Sequence, residues 1–261
     1  MPIDASDMLY RHFMLLARIS TIVAFCVVIL GAYVRLSDAG LGCPDWPGCY
    51  GQLLGVPDSA EEIEQARQNY PQSRVDTAKA WKEVLHRYLA AALGLLILAL
   101  AALAIINRRH SRQPLALPLL LTVLVIFQGL LGMWTVTLLL KPVVVTAHLL
   151  GGFFTLALLW HLALPEFRIG VLSARRCRLR FAWGAIGVLI AQIALGGWTA
   201  SNYAALACTD FPTCQQQWWP PMNFADAFQP SSEIGTNYEY GVQIYCPTLR
   251  WISASFLEFK S

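Results

Sequence analysis

Residues 81–106 read WKEVLHRYLAAALGLLILALAALAII, and the 18 residues from 89 to 106 carry no charged or polar side chain. A helix of about 20 residues crosses the hydrocarbon core of a bilayer, and an uninterrupted apolar run of this length predicts such a helix. Only a helix satisfies its own backbone hydrogen bonds in lipid. The stretch therefore predicts a transmembrane helix whose first turns carry Glu83 and His86.

The remainder of the chain has the same character. Four further apolar blocks of spanning length occupy residues 13–34, 115–140, 143–164 and 181–200. Only 13% of the 261 residues are charged, against about 25% in a typical soluble domain. The net charge of +3 is too small to indicate a nucleic-acid partner. The expected environment is a lipid bilayer, crossed five times.

The loops between the blocks predict the orientation of the chain. Two loops are rich in arginine, whereas the long loop 36–80 is acidic. Cytoplasmic loops carry an excess of Lys and Arg, so the arginine-rich loops and the N-terminus are expected inside. The expected location is a bacterial plasma membrane, with loop 36–80 and the stretch after Ala200 on the periplasmic side. The arginines of the two inner loops are Arg108, Arg109 and Arg112, and Arg168, Arg175, Arg176, Arg178 and Arg180.

An internal repeat links the two outer loops. Residues 31–49 read GAYVRLSDAGLGCPDWPGC, and residues 196–214 read GGWTASNYAALACTDFPTC. Seven positions are identical without gaps, including both cysteines, an aspartate and a proline. The repeat predicts two four-helix halves, of which this sequence holds the first and the opening of the second. The predicted fold class is thus an all-α integral membrane protein: a transmembrane four-helix bundle plus the first helix of a second, incomplete repeat.

Six segments follow from these boundaries. They are residues 1–35 (N-terminus and first transmembrane helix), 36–80 (outer loop with a Cys pair), 81–165 (helices two to four, completing the bundle), 166–200 (cytoplasmic loop and fifth helix), 201–240 (outer loop with the second Cys pair) and 241–261 (an atypical tail).

Four of the seven cysteines form two matched Cys-x5-Cys loops, Cys43 with Cys49 and Cys208 with Cys214. Disulfides form and persist in an oxidising compartment, so a bridge that fixes each outer loop is favoured. A redox-active pair that exchanges electrons with a thiol oxidoreductase is the alternative. A metal site is a weaker alternative, since neither loop contains a histidine.

Two of the five histidines, His86 and His148, lie inside predicted membrane helices, where ionisable residues are costly and usually functional. Each lies about five residues from the outer end of its apolar block, so both imidazoles are expected about 8 Å below the same surface. Two histidines on facing helices at one depth are what ligation of a haem iron requires. An interhelical hydrogen bond or a zinc site are the alternatives. His161 lies about 20 Å further along its helix and is expected to reach the inner interface.

Glu83 stands three residues before His86 and projects from nearly the same helical face. A carboxyl group in a low dielectric has its ionised form disfavoured, which suits it to proton transfer. Alternatively Glu83 is solvated or pairs with Lys82 or Arg87. Arg87 could also bind a haem propionate, although it points about 100° around the helix from His86.

These motifs together resemble the haem A synthase family, membrane enzymes that convert haem O to haem A for cytochrome oxidase. The matching stretches are GLGCPDWPGCYG in the first outer loop, Glu83-Val-Leu-His86-Arg87, QGLLGMWTV at 128–136, TAHL around His148, and the second Cys loop. The resemblance implies that Glu83 is the catalytic carboxylate and that His86 and His148 bind the iron of the substrate, haem O. It also implies disulfides in both Cys pairs.

The resemblance implies further partners. The family is expected to hold a haem b cofactor through a second histidine pair in its C-terminal half, and relative to that pattern this sequence looks truncated. The reaction is oxidation of a porphyrin methyl group to a formyl group. Since the sequence has no flavin or nicotinamide motif, an electron acceptor is expected as a partner, together with the haem O synthase that supplies the substrate.

Two other functions compete with this enzyme activity. A b-type cytochrome would hold haem permanently between the same histidines and transfer electrons without altering the porphyrin. A membrane thiol oxidase would use Cys43 and Cys49 as its catalytic pair, with structural histidines.

Overall fold

Helices make up the secondary structure of the described part of the chain, apart from two isolated backbone bridges. The structure, a computed structural model, describes residues 4–164 and 176–202, and also 204, 210, 213, 214, 216–218 and 224–228. The helices are α1 (Ala5–Leu36), α2 (Ala60–Asn69), α3 (Thr77–Ile106), α4 (Ala116–Thr137), α5 (Pro142–Ala163), α6 (Arg176–Ser201) and α7 (Phe224–Ala227).

Five of these helices are long and apolar enough to cross a bilayer: α1, α3, α4, α5 and residues Arg180–Ser201 of α6. Each contains one of the five predicted blocks or nearly all of it. Many of their large apolar side chains are exposed, for example Ile22, Leu95 and Val123, which in a membrane protein is the surface that meets lipid. The prediction of an all-α, multi-pass integral membrane protein is confirmed.

The third apolar block along the chain ends differently from its prediction. The apolar run 115–140 suggested a helix to Leu140, but α4 ends at Thr137. Leu139 and Leu140 have φ angles of 50° and 58°, a left-handed conformation that an L-residue cannot repeat through a helix. The apolar side chains of residues 138–140 made the sequence look helical there. The left-handed backbone at Leu139 and Leu140 explains why the helix ends earlier.

The chain divides into two compact units, Met1–Thr137 with Gly151–Arg168, and Leu138–Leu150 with Ile169–Ser261. In the first unit α1 packs against α3, and α3 packs against α4. The core of this unit joins side chains from these helices and from the second half of α5. Its buried members are Phe13, Ala17, Ala24, Leu93, Ile97, Leu100, Ala104, Leu121, Leu159 and Leu162.

Loop 36–80 contains a helix, α2, which the hydrophobic pattern did not predict. Ser59 caps it: the Ser59 hydroxyl accepts from the amide of Glu62, and the Glu62 carboxylate accepts from the amide of Ser59. This reciprocal capping box satisfies two amides at the helix start. Those hydrogen bonds hold the pKa of Glu62 below its usual value. The Ser-x-x-Glu spacing was present in the sequence as a signal for this helix.

Within its own unit, each copy of the repeated loop makes the same backbone bridge and the same aspartate contact among the described residues. Cys49 and Gln52 exchange backbone hydrogen bonds of 2.8 and 3.1 Å, and Cys214 and Gln217 exchange bonds of 3.0 and 3.1 Å. The aspartate four residues before each of these cysteines organises the turn. Asp45 accepts from the amide of Gly51 at 2.9 Å, and Asp210 accepts from the amide of Gln216, the equivalent position, at 3.0 Å. These local contacts therefore match the sequence repeat in the part of the second copy that the structure describes.

Candidate functional site

Glu83 is a buried carboxylate in the second turn of α3, with 5% of its surface exposed. One oxygen, Oε2, accepts a hydrogen bond of 3.0 Å from the amide of Cys43. The other oxygen, Oε1, pairs with the guanidinium of Arg87 one turn further along α3. Of the alternatives for Glu83, pairing with Arg87 is the one observed.

Arg87 connects this carboxylate to the disulfide loop. Its Nη1 donates to the carbonyl oxygens of Gly48 at 2.6 Å and Asp45 at 3.0 Å, while Nη2 contacts Glu83. Arginine suits this position because its planar guanidinium presents several donors in a fixed geometry. These contacts engage Arg87 with the protein itself and do not support the alternative in which it binds a propionate.

A close backbone contact brings the loop onto α3. A Cβ atom at Gly42 would lie 2.7 Å from the carbonyl carbon of Lys79, so only glycine lets the loop approach the helix this closely. The Lys79 ammonium also forms an ion pair of 2.7 Å with Asp38. These contacts place the amides of Gly42 and Cys43 beside Glu83.

The predicted disulfide between Cys43 and Cys49 is present. Both cysteines are buried in a small core that joins the loop, α2 and the start of α3. Cys214 is also disulfide-bonded, and Cys208, its expected partner, lies outside the described residues. The first bridge closes the loop that surrounds Arg87 and Glu83.

Tyr50 extends the polar network above Glu83. Its hydroxyl donates to the carbonyl of Arg74 at 3.2 Å, and its ring meets Tyr70 edge-on. Burial raises the pKa of Tyr50, and the negative charges of Glu83, Asp76 and Asp45 add to this effect. The phenol therefore stays protonated at physiological pH and keeps this hydrogen bond.

His86 lies one turn below Glu83 on α3 and packs against α1. A Cβ atom at Gly31 would lie 2.9 Å from Cε1 of the imidazole and 3.5 Å from both ring nitrogens. Gly31 therefore provides the space that the ring occupies between the two helices. An imidazole is a common axial ligand of haem iron, and this ring is held by a rigid element. The space that Gly31 provides and the coordinating nitrogen of the imidazole both make His86 suitable as a ligand of haem iron.

We expect Gly31→Ala to displace the His86 ring, because a new methyl group would enter its space. Haem affinity should fall by about tenfold or more. Displacing an iron ligand should lower the affinity as much as removing the contacts that hold that ligand in place. Gly94→Ala on α3 is the matched control, because nothing lies within 4 Å of its added Cβ. Haem titration in detergent measures both variants. Equal haem affinity of Gly31→Ala and the parent chain would contradict the assignment of His86.

His148 lies in α5, in the unit formed by Leu138–Leu150 and Ile169–Ser261. Its neighbours in that unit are closely packed: a Cβ atom at Gly197 of α6 would lie 2.7 Å from Leu149 and 3.7 Å from the Thr146 hydroxyl. His86 belongs to the other unit. Joint ligation of one iron by His86 and His148 stays a prediction.

The equal depth of the two histidines also stays a prediction, but the helix starts differ from those expected. α3 begins at Thr77, so His86 is nine residues past the first residue of its helix, whereas His148 is six past Pro142. The sequence placed the start of α3 at Trp81 because Asp76, Thr77 and Lys79 are polar. Asp76 in fact caps the helix by accepting from the Lys79 amide at 3.0 Å.

His161, the histidine expected near the inner interface, is exposed near the end of α5. Among the residues that the structure describes, no three or more His, Cys, Asp or Glu side chains group as a metal site. This finding gives no support to the zinc alternative for His86 and His148.

The sequence reasoning missed the residues that support the site. It did not identify Gly31 and Gly42 as points of close approach, nor Asp45 as the organiser of the Cys loop. The alignment of the two loops already contained a signal for Asp45, because Asp210 repeats it. The glycines carried no comparable signal, since close contacts between distant residues are not visible in sequence.

Five apolar helices define a multi-pass membrane protein. Its disulfide-closed loop makes hydrogen bonds to a buried ion pair on α3, one turn from a histidine. The family model described as "Cytochrome oxidase assembly protein", COX15-CtaA, matches residues 14–244. The chain belongs to this family.

Individual relatives agree with the family model. The chain is 45% identical over 233 residues to a protein of Shewanella oneidensis named "Heme A synthase", an alignment that covers 88% of this chain and 69% of that protein. It is 25% identical over 221 residues to a "Heme A synthase" of Halalkalibacterium halodurans, covering 82% and 68%. The chain thus spans about two thirds of the length of these relatives. No solved structure gives a significant match.

Proposed function

We propose that this chain acts in haem A biosynthesis, oxidising a methyl group of haem O to a formyl group. The observation that carries the proposal is the ordered pair of Glu83 and His86 on α3: a buried carboxylate one turn from an imidazole cradled by Gly31. Relatives named heme A synthase give the substrate class. Neither competing function, cytochrome or thiol oxidase, is favoured by these relatives.

In this proposal His86 and His148 hold the substrate through its iron, and the apolar helices accept its hydrocarbon tail. Replacing two methyl hydrogens by one oxygen, with water as the oxygen source, releases four electrons and four protons. Glu83 is the residue positioned to take up protons near the porphyrin edge. The electrons pass to a redox partner, because the sequence has no flavin or nicotinamide motif.

The rigid surroundings of Glu83 support this role. Its two oxygens are held by Arg87 and by the amide of Cys43, so its position is fixed before any substrate binds. A fixed catalytic group avoids the cost of reorganisation during the reaction. The disulfide loop would then act as a cap that positions the carboxylate and keeps bulk water from it.

We also propose the orientation that the arginine-rich loops predict, with the N-terminus inside and the Cys loops outside. In that arrangement Glu83 and His86 lie near the periplasmic face, in an oxidising compartment where the Cys43–Cys49 bridge is stable. Haem O would reach the site from the bilayer, where the enzyme that makes it also acts.

The full chain, produced in a host that makes haem O but no haem A, tests the proposed function. We expect haem A in the extracted pigments, identified by its formyl group and its mass. The chain with Glu83→Gln is expected to bind haem O and leave it unchanged. Haem O that the parent chain retains without alteration would contradict the proposal and favour the cytochrome function.

A further inference from the structure

Gln128 is a polar side chain in the middle of α4, within the unit that contains α1, α3 and the second half of α5. Only 9% of its surface is exposed, and its Nε2 atom is buried without a hydrogen-bond partner in the structure. A buried donor without an acceptor costs about 1–3 kcal/mol. Polar groups inside a membrane are costly and usually functional. This amide therefore requires an explanation.

The side-chain amide of Gln128 occupies a space between α4 and α5 that a glycine leaves open. A Cβ atom at Gly151 of α5 would lie 1.9 Å from Nε2 of Gln128, so the absence of a side chain at Gly151 makes the space for the amide. Helix packing alone would be served by an apolar side chain here. An interhelical hydrogen bond, the usual role of a membrane glutamine, is not made by Nε2 within the described part of the chain.

Gln128 and His86 lie equally far along their helices from the predicted outer ends. Gln128 lies nine residues before the last residue of α4, and His86 and Gly151 each lie nine residues past the first residue of their helices. At 1.5 Å per residue, all three are about 13 Å along their helices from the predicted outer ends. His148 precedes Gly151 by three residues, so these two positions share nearly one face of α5.

We infer that Gln128 is a substrate-positioning residue whose Nε2 donates a hydrogen bond to an uncharged oxygen on the porphyrin edge. This inference rests on the proposed function. Haem O carries such an oxygen as the hydroxyl of its tail, and haem A adds a formyl oxygen. Haem B has neither, and its charged propionates are unsuited to a neutral amide in an apolar layer. Gln128 therefore selects haems that carry a neutral oxygen.

Binding of haem O, haem A and haem B to the full chain in detergent tests the inference. In Gln128→Leu we expect affinity for haem O or haem A to fall by about tenfold, the effect of one lost buried hydrogen bond. Affinity for haem B should stay unchanged, which also shows that the variant is folded. A loss with both haem O and haem A assigns the tail hydroxyl, which both carry, and a loss with haem A alone assigns the formyl oxygen. Equal losses for all three haems, a loss with haem O alone, or no loss, overturn the inference.

A vibrational measurement and a pair of glycine variants complete the test. If the formyl oxygen is the acceptor, the formyl stretching band of bound haem A should move to higher frequency in Gln128→Leu, because the carbonyl loses its donor. Gly151→Ala should give the same selective loss by displacing the amide. Gly152→Ala, where nothing lies within 4 Å of the added Cβ, should bind like the parent chain. Identical behaviour of the two glycine variants would contradict the inference.

These measurements involve no turnover. A parent chain that selects haem O over haem B through Gln128 but does not oxidise it would contradict the proposed function and leave this inference standing. Conversely, haem A production that is accompanied by equal binding of all haems to Gln128→Leu would contradict the inference alone.

Discussion

Haem binding is expected to fall by about 100-fold or more in His86→Ala, because the iron loses an axial ligand, whereas loss of a mere supporting contact costs about 10–100-fold. The absorption spectrum should also lose the low-spin form that two imidazoles produce. Optical titration of the full chain with haem O in detergent measures both effects. His148→Ala should give the same result if both histidines bind one iron.

His161→Ala is the matched control, since His161 is an exposed histidine on the same helix as His148. It should bind haem O like the parent chain. A low-spin spectrum that persists in both His86→Ala and His148→Ala would show that neither residue binds the iron, and the proposed substrate site would then be wrong.

The second large effect concerns the ion pair between Glu83 and Arg87, whose side chains are 6% and 14% exposed. Glu83→Ala leaves the Arg87 guanidinium without its carboxylate and the Cys43 amide without its acceptor. We expect the free energy of unfolding to fall by about 3 kcal/mol, because removing one partner of a buried pair strands the other charge. Thermal unfolding in detergent measures the loss.

Two variants separate the structural from the chemical role of Glu83. Glu83→Gln keeps an acceptor for the Cys43 amide, so it should retain more stability than Glu83→Ala and still lose methyl oxidation. Arg67→Met breaks the exposed pair with Glu64, whose side chains are 63% and 60% exposed, and should cost less than about 1 kcal/mol. Full methyl oxidation by Glu83→Gln would exclude Glu83 as the group that takes up protons.

The supporting residues of the site could not be predicted from the sequence, whereas the sequence did single out Glu83 and His86, whose roles stay predictions. Glu83 and His86 are a polar pair in an apolar block, so their cost in a membrane singles them out. Arg87 gave an ambiguous signal, because a membrane arginine can pair with a carboxylate, a propionate or backbone carbonyls. Arg87 donates to the carbonyl oxygens of Gly48 and Asp45 because the loop folds over it. The local sequence does not specify that fold.

The sequence by itself determined the five spanning helices, the class of protein and the repeated Cys loops. Each of these follows from a local pattern: the length of the apolar blocks or the presence of two similar stretches of chain. Tertiary structure alone decided that Gly42 lets the disulfide loop reach Glu83, that Gly31 makes room for His86, and that Gly151 makes room for Gln128. The physical reason is that close packing brings together atoms from distant parts of the chain. The space left by a glycine can therefore be interpreted only when the residue that fills it is known.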